Sequence, residues 1–277
     1  MRRWLSALAL ALCVPLALAA DTGTGASGTF KSKDIDMKVA SAMAFKGTSL
    51  MDKDPVIVVA IANARVKPAV LADYYDRRLA FDKRIKDEDT GVVYFEFGLD
   101  GKYQALSYYF GSGNGCAYCS GGVASTVKLA GGKLVGNLKS KEANPSFDVN
   151  LDVPVTGDDH GAALPADGGE PGRAYLAYHA ALTKRDAKAV RPLLSNESAA
   201  TFDRAAKDGR TSDYLQFLAE DHPTKGVRVV RGFATADKAV LLITGDAESF
   251  KLKGEVLLAK EGGTWRVVDE LTEMVVQ

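Results

Sequence analysis

Residues 227–271 carry Val227-Arg-Val-Val230, Lys238-Ala-Val-Leu-Leu-Ile-Thr244, Gly254-Glu-Val-Leu-Leu-Ala259 and Thr264-Trp-Arg-Val-Val268. Each piece is rich in aliphatic and β-branched residues. Thr235-Ala-Asp237, Gly245-Asp246 and Glu261-Gly-Gly263 punctuate them as turns. The stretch reads as a four-stranded antiparallel meander. Ala239, Leu241 and Ile243 fall on one side of the second strand, and Val240, Leu242 and Thr244 on the other. A sheet covered on one side alternates apolar with polar. This one is apolar on both sides at its centre, so helices on one side leave the other needing a cover. The two candidates are the first half of the chain folding back and a second copy across a two-fold axis, a homodimer through this sheet.

Four helical patterns precede the meander and have nothing else nearby in sequence to pack on. The first, over 173–185, carries Tyr175, Tyr178, His179 and Leu182 on its heavier stripe. Asp186 is a natural N-cap for the second, which Pro192 should shorten. The third spans 196–208 and ends at Gly209; the fourth, over 211–220, carries Tyr214, Leu215, Phe217 and Leu218. Upstream, residues 156–171 lack either periodicity and hold Pro165 and Pro171, which marks a linker. The expected organisation is a leader over 1–19, a β-rich domain over 20–155, this linker, and an α+β domain over 172–277.

In the first half, Ile35, Met37, Val39, Ser41, Met43 and Phe45 alternate as one half-buried strand. Val56-Ile-Val-Val-Ala-Ile61 is continuously apolar, as in a strand buried on both faces. Pro68 opens a helix whose apolar face is Leu71, Tyr74, Tyr75 and Leu79. Its other face, with Arg77, Arg78, Lys83, Arg84 and Lys86 among Asp73, Asp76, Asp82 and Asp87, reads as solvated. Strands follow at Val93–Phe97, across the Asp100-Gly101 turn at Tyr103–Phe110, and on both sides of Gly131-Gly132. Phe147, Val149, Leu151 and Val153 alternate as the last strand. This half is expected to be a mostly antiparallel sandwich or open barrel with one helix.

Asp148, Asn150 and Asp152 have the spacing that starts a calcium loop, but Val153 stands where its glycine is needed, so they read as the outer face of a strand. Cys116 and Cys119 sit in Gly111-Ser-Gly-Asn-Gly-Cys-Ala-Tyr-Cys-Ser-Gly-Gly122. A haem attachment would need a histidine where Ser120 stands. Zinc would need two further ligands. A redox pair would need a helix start to lower a thiol pKa. The expectation is a local disulfide in a glycine-rich loop, with neither metal nor cofactor.

Lys+Arg and Asp+Glu are 35 each, so no basic field gathers phosphates and nucleic acid is not expected as a partner. Arg2 and Arg3, the apolar run over 5–18 and Ala17-Leu-Ala19 form an export leader with cleavage after Ala19. Leu12 before Cys13 argues against a lipoprotein. The expected destination is the periplasm or the exterior, without membrane insertion.

Helices followed by a curved antiparallel sheet, with Tyr175-Leu-Ala-Tyr-His-Ala-Ala-Leu182, Arg185-Asp186-Ala187, Lys238-Ala-Val-Leu-Leu242 and Gly262-Gly-Thr-Trp-Arg-Val267, resemble the nuclear transport factor 2-like superfamily, a cystatin-like α+β roll, in its small exported form. The resemblance covers residues 172–277; the first half resembles no family. It implies a cone whose helices lie in the concave side of the sheet and often leave a pocket. Pocket candidates are then Tyr175, Tyr178, His179, Tyr214, Trp265 and Asp269. Asp269, read on the face of Trp265 and Val267, is the carboxylate positioned to act as a base, and His179 the group that could shuttle protons. Three functions compete: a non-enzymatic exported protein binding a small molecule or protein through the cone, an isomerase or hydrolase using its pocket, and a thiol–disulfide protein using Cys116 and Cys119.

Overall fold

A computed structural model describes residues 25–32, 35–67, 71–84, 90–110, 114–119, 122–220, 222–247 and 250–275. The leader with Ala19 and Cys13, the expected helix start at Pro68, Lys86 and Asp87 of its charged face and the side chains of Cys116 and Cys119 lie outside the described residues; within them, residues 72–76 of the expected helix are turn and bend, and the helix runs Arg77–Arg84.

The fold is α+β, with a curled half-barrel sheet in the first half and a separate five-stranded antiparallel sheet in the second. The first sheet runs β2 (Ile35–Lys38), β1 (Ala26–Ser32), β11 (Ser146–Thr156), β3 (Ser41–Thr48), β4 (Pro55–Ala62), β5 (Gly91–Phe97), β6 (Tyr103–Phe110), β7 (Asn114–Cys119). β10 (Lys133–Ser140) also pairs with β11, and carries β8 (Val123–Ser125) and β9 (Lys128–Ala130). The strand expected through residues 35–45 is broken at Val39 and Ala40, and β1 precedes it in a stretch of the β-rich half where no strand was expected. The break turns the chain: β2 pairs with β1 while β3 pairs with β4.

Phe30 and Phe147, register partners on β1 and β11, stack at 5.6 Å, and curling of the sheet brings Phe95 of β5 beside Phe147 at 5.5 Å. The continuous apolar run of β4 is explained by two cores. Ile57, Val59 and Ile61 enter the half-barrel, while Val56, Val58, Ala60 and Ala62 face helix α1 (Arg77–Arg84). Asp148 and Asp152 lie on the exposed face of β11, paired with Lys139 at 3.3 Å and Lys133 at 3.1 Å, as expected of an outer strand face.

The second sheet runs β12 (Ala162–Ala163), β13 (Lys225–Ala234), β14 (Lys238–Asp246), β15 (Lys251–Glu261), β16 (Thr264–Met274). The meander is present, and β12 adds a fifth strand from what was expected to be linker. Helix α2 (Gly169–Thr183) also begins inside that segment. Pro171 does not exclude it, because first-turn N–H groups have no intrahelical partner to lose. α3 (Ala187–Val190) is capped by Asp186, whose side chain accepts from the amides of Lys188 and Ala189, and continues into a 3₁₀ turn at Pro192. α4 (Asn196–Lys207) and α5 (Thr211–Ala219) complete the layer. Tyr175, Tyr178, Leu182, Phe202 and Leu215 pack with Leu241, Ile243, Val256, Trp265 and Val267 in one core.

The outer face of this sheet is covered by the first half. Val240 and Leu257 are buried in one cluster with Leu71, Tyr74, Phe81 and Tyr94. Of the two covers the sequence allowed, folding back occupies the centre of the face, and a homodimer there would have to displace it.

The joint is made by residues 71–77. Tyr75 stacks on Phe233 at 5.6 Å, and the Tyr75 and Asp76 amides donate to Glu255 Oε2 at 2.7 and 3.3 Å. Lys238 Nζ pairs with Asp73 at 2.7 Å. Arg77, expected on a solvated face, is 2% exposed. It donates to Asp158 at 3.1 Å and to the carbonyls of Ala72 at 3.0 Å and Gly157 at 2.7 Å. The guanidinium is drawn inward because chain reversals leave carbonyls that no regular element pairs.

Candidate functional site

The expected pocket residues divide between three environments. Tyr175 and Tyr178 are buried on α2, and Trp265 is buried on β16 with the Lys260 ammonium 5.4 Å from its ring centre. Tyr214 is half-buried on α5, edge-on to Phe202 at 5.8 Å. These four rings pack between helices and sheet, so the helix-facing side of the sheet is packed core where they lie.

Asp269 is not on the face of Trp265 and Val267. Leu258 pairs with Val267 and Leu257 with Asp269, so Val268 is an extra residue in β16. A bulge of one residue exchanges the two faces beyond it. Asp269 therefore turns outward and accepts from the Tyr74 hydroxyl of the first half. Glu270 takes the inward place. The bulge sits where residues 194–198 are pinned to the strand: the Ser195 amide donates to the Val267 carbonyl at 2.8 Å and Ser198 Oγ to that of Val268 at 3.0 Å.

Glu270 organises a polar chain through the helix layer. It accepts from Tyr175 Oη at 3.0 Å and faces His222 Nδ1 at 2.8 and 2.9 Å. His222 Nε2 lies 2.6 Å from His179 Nδ1. A carboxylate only accepts, so His222 carries its proton on Nδ1, and one proton is shared between the two rings. With both rings neutral, His179 donates through Nδ1 and keeps Nε2 as a base. Burial lowers the His179 pKa, and His222 adds to this against the opposing pull of Glu270. Burial, followed by the charge of Glu270, raises the pKa of both Tyr175 and Tyr178, which holds their hydroxyls protonated. His222 is 5% exposed, whereas His179 is only half-buried, so the chain leads from an interior carboxylate towards the surface.

Sequence reasoning found His179 and the tyrosines but missed His222 and Glu270. His222 precedes Pro223 between α5 and β13, where no periodicity marks a side chain as inward. The available signal was scarcity, since the chain has three histidines.

A separate cleft of about 280 Å³ opens between the halves on the outer face of the second sheet. Val240, Leu257, Ala259 and Val268 supply an apolar floor, and Asp73, Asp159, His160, Glu197, Lys238 and Glu261 a polar wall. No expected pocket residue lines it. Burial lowers the His160 pKa, and Arg77 lowers it further, so its ring is neutral at neutral pH.

Cys116 and Cys119 lie in the edge strand β7, with Tyr108 opposite Cys116 and Leu106 opposite Cys119. The backbone there is a bulged strand where a loop was expected, and no helix starts at the pair.

Compared with protein-family models and with curated proteins, the chain matches none.

Proposed function

We propose that this is an exported, non-enzymatic binding protein whose ligand sits in the cleft between the halves. The carrying observation is the contrast between the two sides of the second sheet: the helix-facing side is filled by buried Tyr175, Tyr178, Phe202 and Trp265, while the outer face keeps a cleft with an apolar floor. Binding sites are typically concave, mostly apolar and placed where domains meet. The reading retains a nuclear transport factor 2-like second half, supported by helices packed on one side of an antiparallel sheet, and moves the binding surface to the sheet's other side. Export to the periplasm or exterior rests on the leader over 1–19. Among the described residues no helix is long and apolar enough to cross a membrane.

The test uses a neutral apolar probe, 1-octanol, titrated by calorimetry. One saturable site is expected, and Ala259→Trp should abolish it by filling the floor. Val268→Trp, at a position already 39% exposed, guards against a folding artefact and should do the same. Unchanged binding in both folded variants would sink the reading.

A second reading, proton-transfer catalysis, is favoured by one observation: the Glu270–His222–His179 chain ends on a half-buried imidazole. Asp269 drops out of it, being held by Tyr74. It predicts that the His179 imidazole titrates differently in Glu270→Gln, because the carboxylate that fixes His222 is gone. An unchanged imidazole titration by NMR would remove the chain as a relay.

For Cys116 and Cys119 the proposal stays a local disulfide. A ring this short stabilises by about 2 kcal/mol in the chain-entropy account. The exported protein should show no free thiol before reduction, and Cys116→Ser with Cys119→Ser should melt cooperatively only a few degrees lower. Rapid exchange with a glutathione buffer at neutral pH would instead support the redox reading.

A further inference from the structure

The wall of the cleft carries an imbalance of charge. Asp73, Asp159, Glu197 and Glu261 face it against the single ammonium of Lys238, leaving three negative charges with His160 neutral. The ammonium is already committed, since Lys238 Nζ sits 2.7 and 2.9 Å from the two Asp73 oxygens. Glu261 is partly engaged, accepting from the Asn196 amide at 2.9 Å with Arg266 3.8 Å away. Among the described residues Asp159 and Glu197 have no cation on them: Asp159 accepts the Gly161 amide at 3.2 Å, and no ion pair there includes Glu197. Beneath them the floor is aliphatic, and Val268, on the side of β16 opposite Val267, joins it.

We infer that the cleft selects a small amphiphilic amine, its apolar body on Val240, Leu257, Ala259 and Val268 and its ammonium against Asp159 and Glu197. The inference rests on the proposed binding reading and adds the ligand's charge to it. An anionic amphiphile of the same shape would meet the unpaired Asp159 and Glu197 carboxylates beside the partly engaged Glu261, and like charges at close quarters reject a partner as effectively as opposite charges attract one. A neutral one would keep the floor and lose the wall. The volume is at the lower end of small-molecule sites, which limits the body to a short chain or a single ring.

Three probes sharing one chain length separate the terms: octylamine, 1-octanol and octanoate, titrated by calorimetry into the full chain at neutral pH and low salt. Octylamine should bind about tenfold more tightly than 1-octanol, and octanoate should not bind measurably, since partly exposed charge pairs add up to about a kcal/mol each. Asp159→Asn with Glu197→Gln should reduce octylamine to the affinity of 1-octanol and leave 1-octanol unchanged. Raising salt to 0.5 M should weaken only octylamine, because exposed charges are screened. If 1-octanol binds and octylamine is no tighter, or octanoate binds equally, the cleft is a binding site without this selectivity and the inference fails alone. If no probe binds, the inference fails together with the reading beneath it.

Discussion

Arg77→Ala is expected to cost about 3–5 kcal/mol and to split unfolding into two transitions. The guanidinium is 2% exposed and serves three acceptors on different parts of the chain: the Ala72 carbonyl before α1, and the Gly157 carbonyl and Asp158 carboxylate after β11. Truncation leaves a buried cavity and two carbonyls without their donor, and breaking a buried ionic contact by removing one partner costs in this range. Asp158 is 47% exposed and can recover water, which holds the loss below the upper end. Two of the acceptors, Gly157 and Asp158, belong to the segment that passes from the first sheet to the second, and the third, Ala72, to the stretch that packs on the second sheet, so the damage falls on the joint. Trp265 is the only tryptophan among the described residues and reports the second half by fluorescence. In urea, its transition should separate from that of far-UV dichroism in the variant and coincide with it in the parent. Arg77→Lys should fall between, because one ammonium cannot reproduce a planar fork facing three oxygens. A single coincident transition with less than about 1 kcal/mol lost would mean that the Arg77 contacts do not hold the joint.

The reason Arg77 escaped the sequence reading bears on how much a sequence discloses. On the expected helix it shared a side with Arg78, Lys83 and several aspartates, and periodicity assigns such a side to water. Periodicity reports which way a side chain leaves the backbone, not whether unpaired carbonyls wait there. The meander was legible because its signal is local: alternating or continuous apolar runs between turn residues, each strand paired to its neighbour in the chain. The need for a second cover was legible too, from the apolar pairs Leu241–Leu242 and Leu257–Leu258. The site was less so. Asp269 was assigned inward by counting in twos from Trp265, and the extra residue at Val268 moved that role to Glu270. Nothing in Val267-Val268 marks a bulge; it is imposed where residues 194–198 are fastened to the strand edge. The cleft was out of reach of local reading altogether, since its wall combines Asp73, His160, Glu197 and Lys238 from four separate segments.

Glu255→Gln is expected to stabilise the protein at pH 8 and to leave it nearly unchanged at pH 4.5. Glu255 is 1% exposed on the covered face of β15. Burial pushes its pKa up to about 7 from 4.5, against the pull of the Tyr75 and Asp76 amides that donate to it. A carboxyl with a raised folded pKa binds more protons folded than unfolded between those two values. Its contribution is fully present below the unfolded pKa of 4.5 and is lost as pH rises through about 7. At about 1.4 kcal/mol per pH unit, the interval sets a ceiling of about 3 kcal/mol. The parent should therefore gain urea resistance from pH 8 down to pH 5. Asp82, whose pKa burial raises to about 6, adds to the lower part of the same slope. The glutamine amide keeps an oxygen for the Tyr75 and Asp76 donors and has no charge to desolvate. The variant should lose most of the slope between pH 5 and 7 and keep the part owed to Asp82. Glu255→Gln together with Asp82→Asn should be nearly flat over that window. If Glu255→Gln instead weakens the protein at pH 8 and leaves the slope intact, the ionised carboxylate is what the joint requires, and the two amides outweigh its burial.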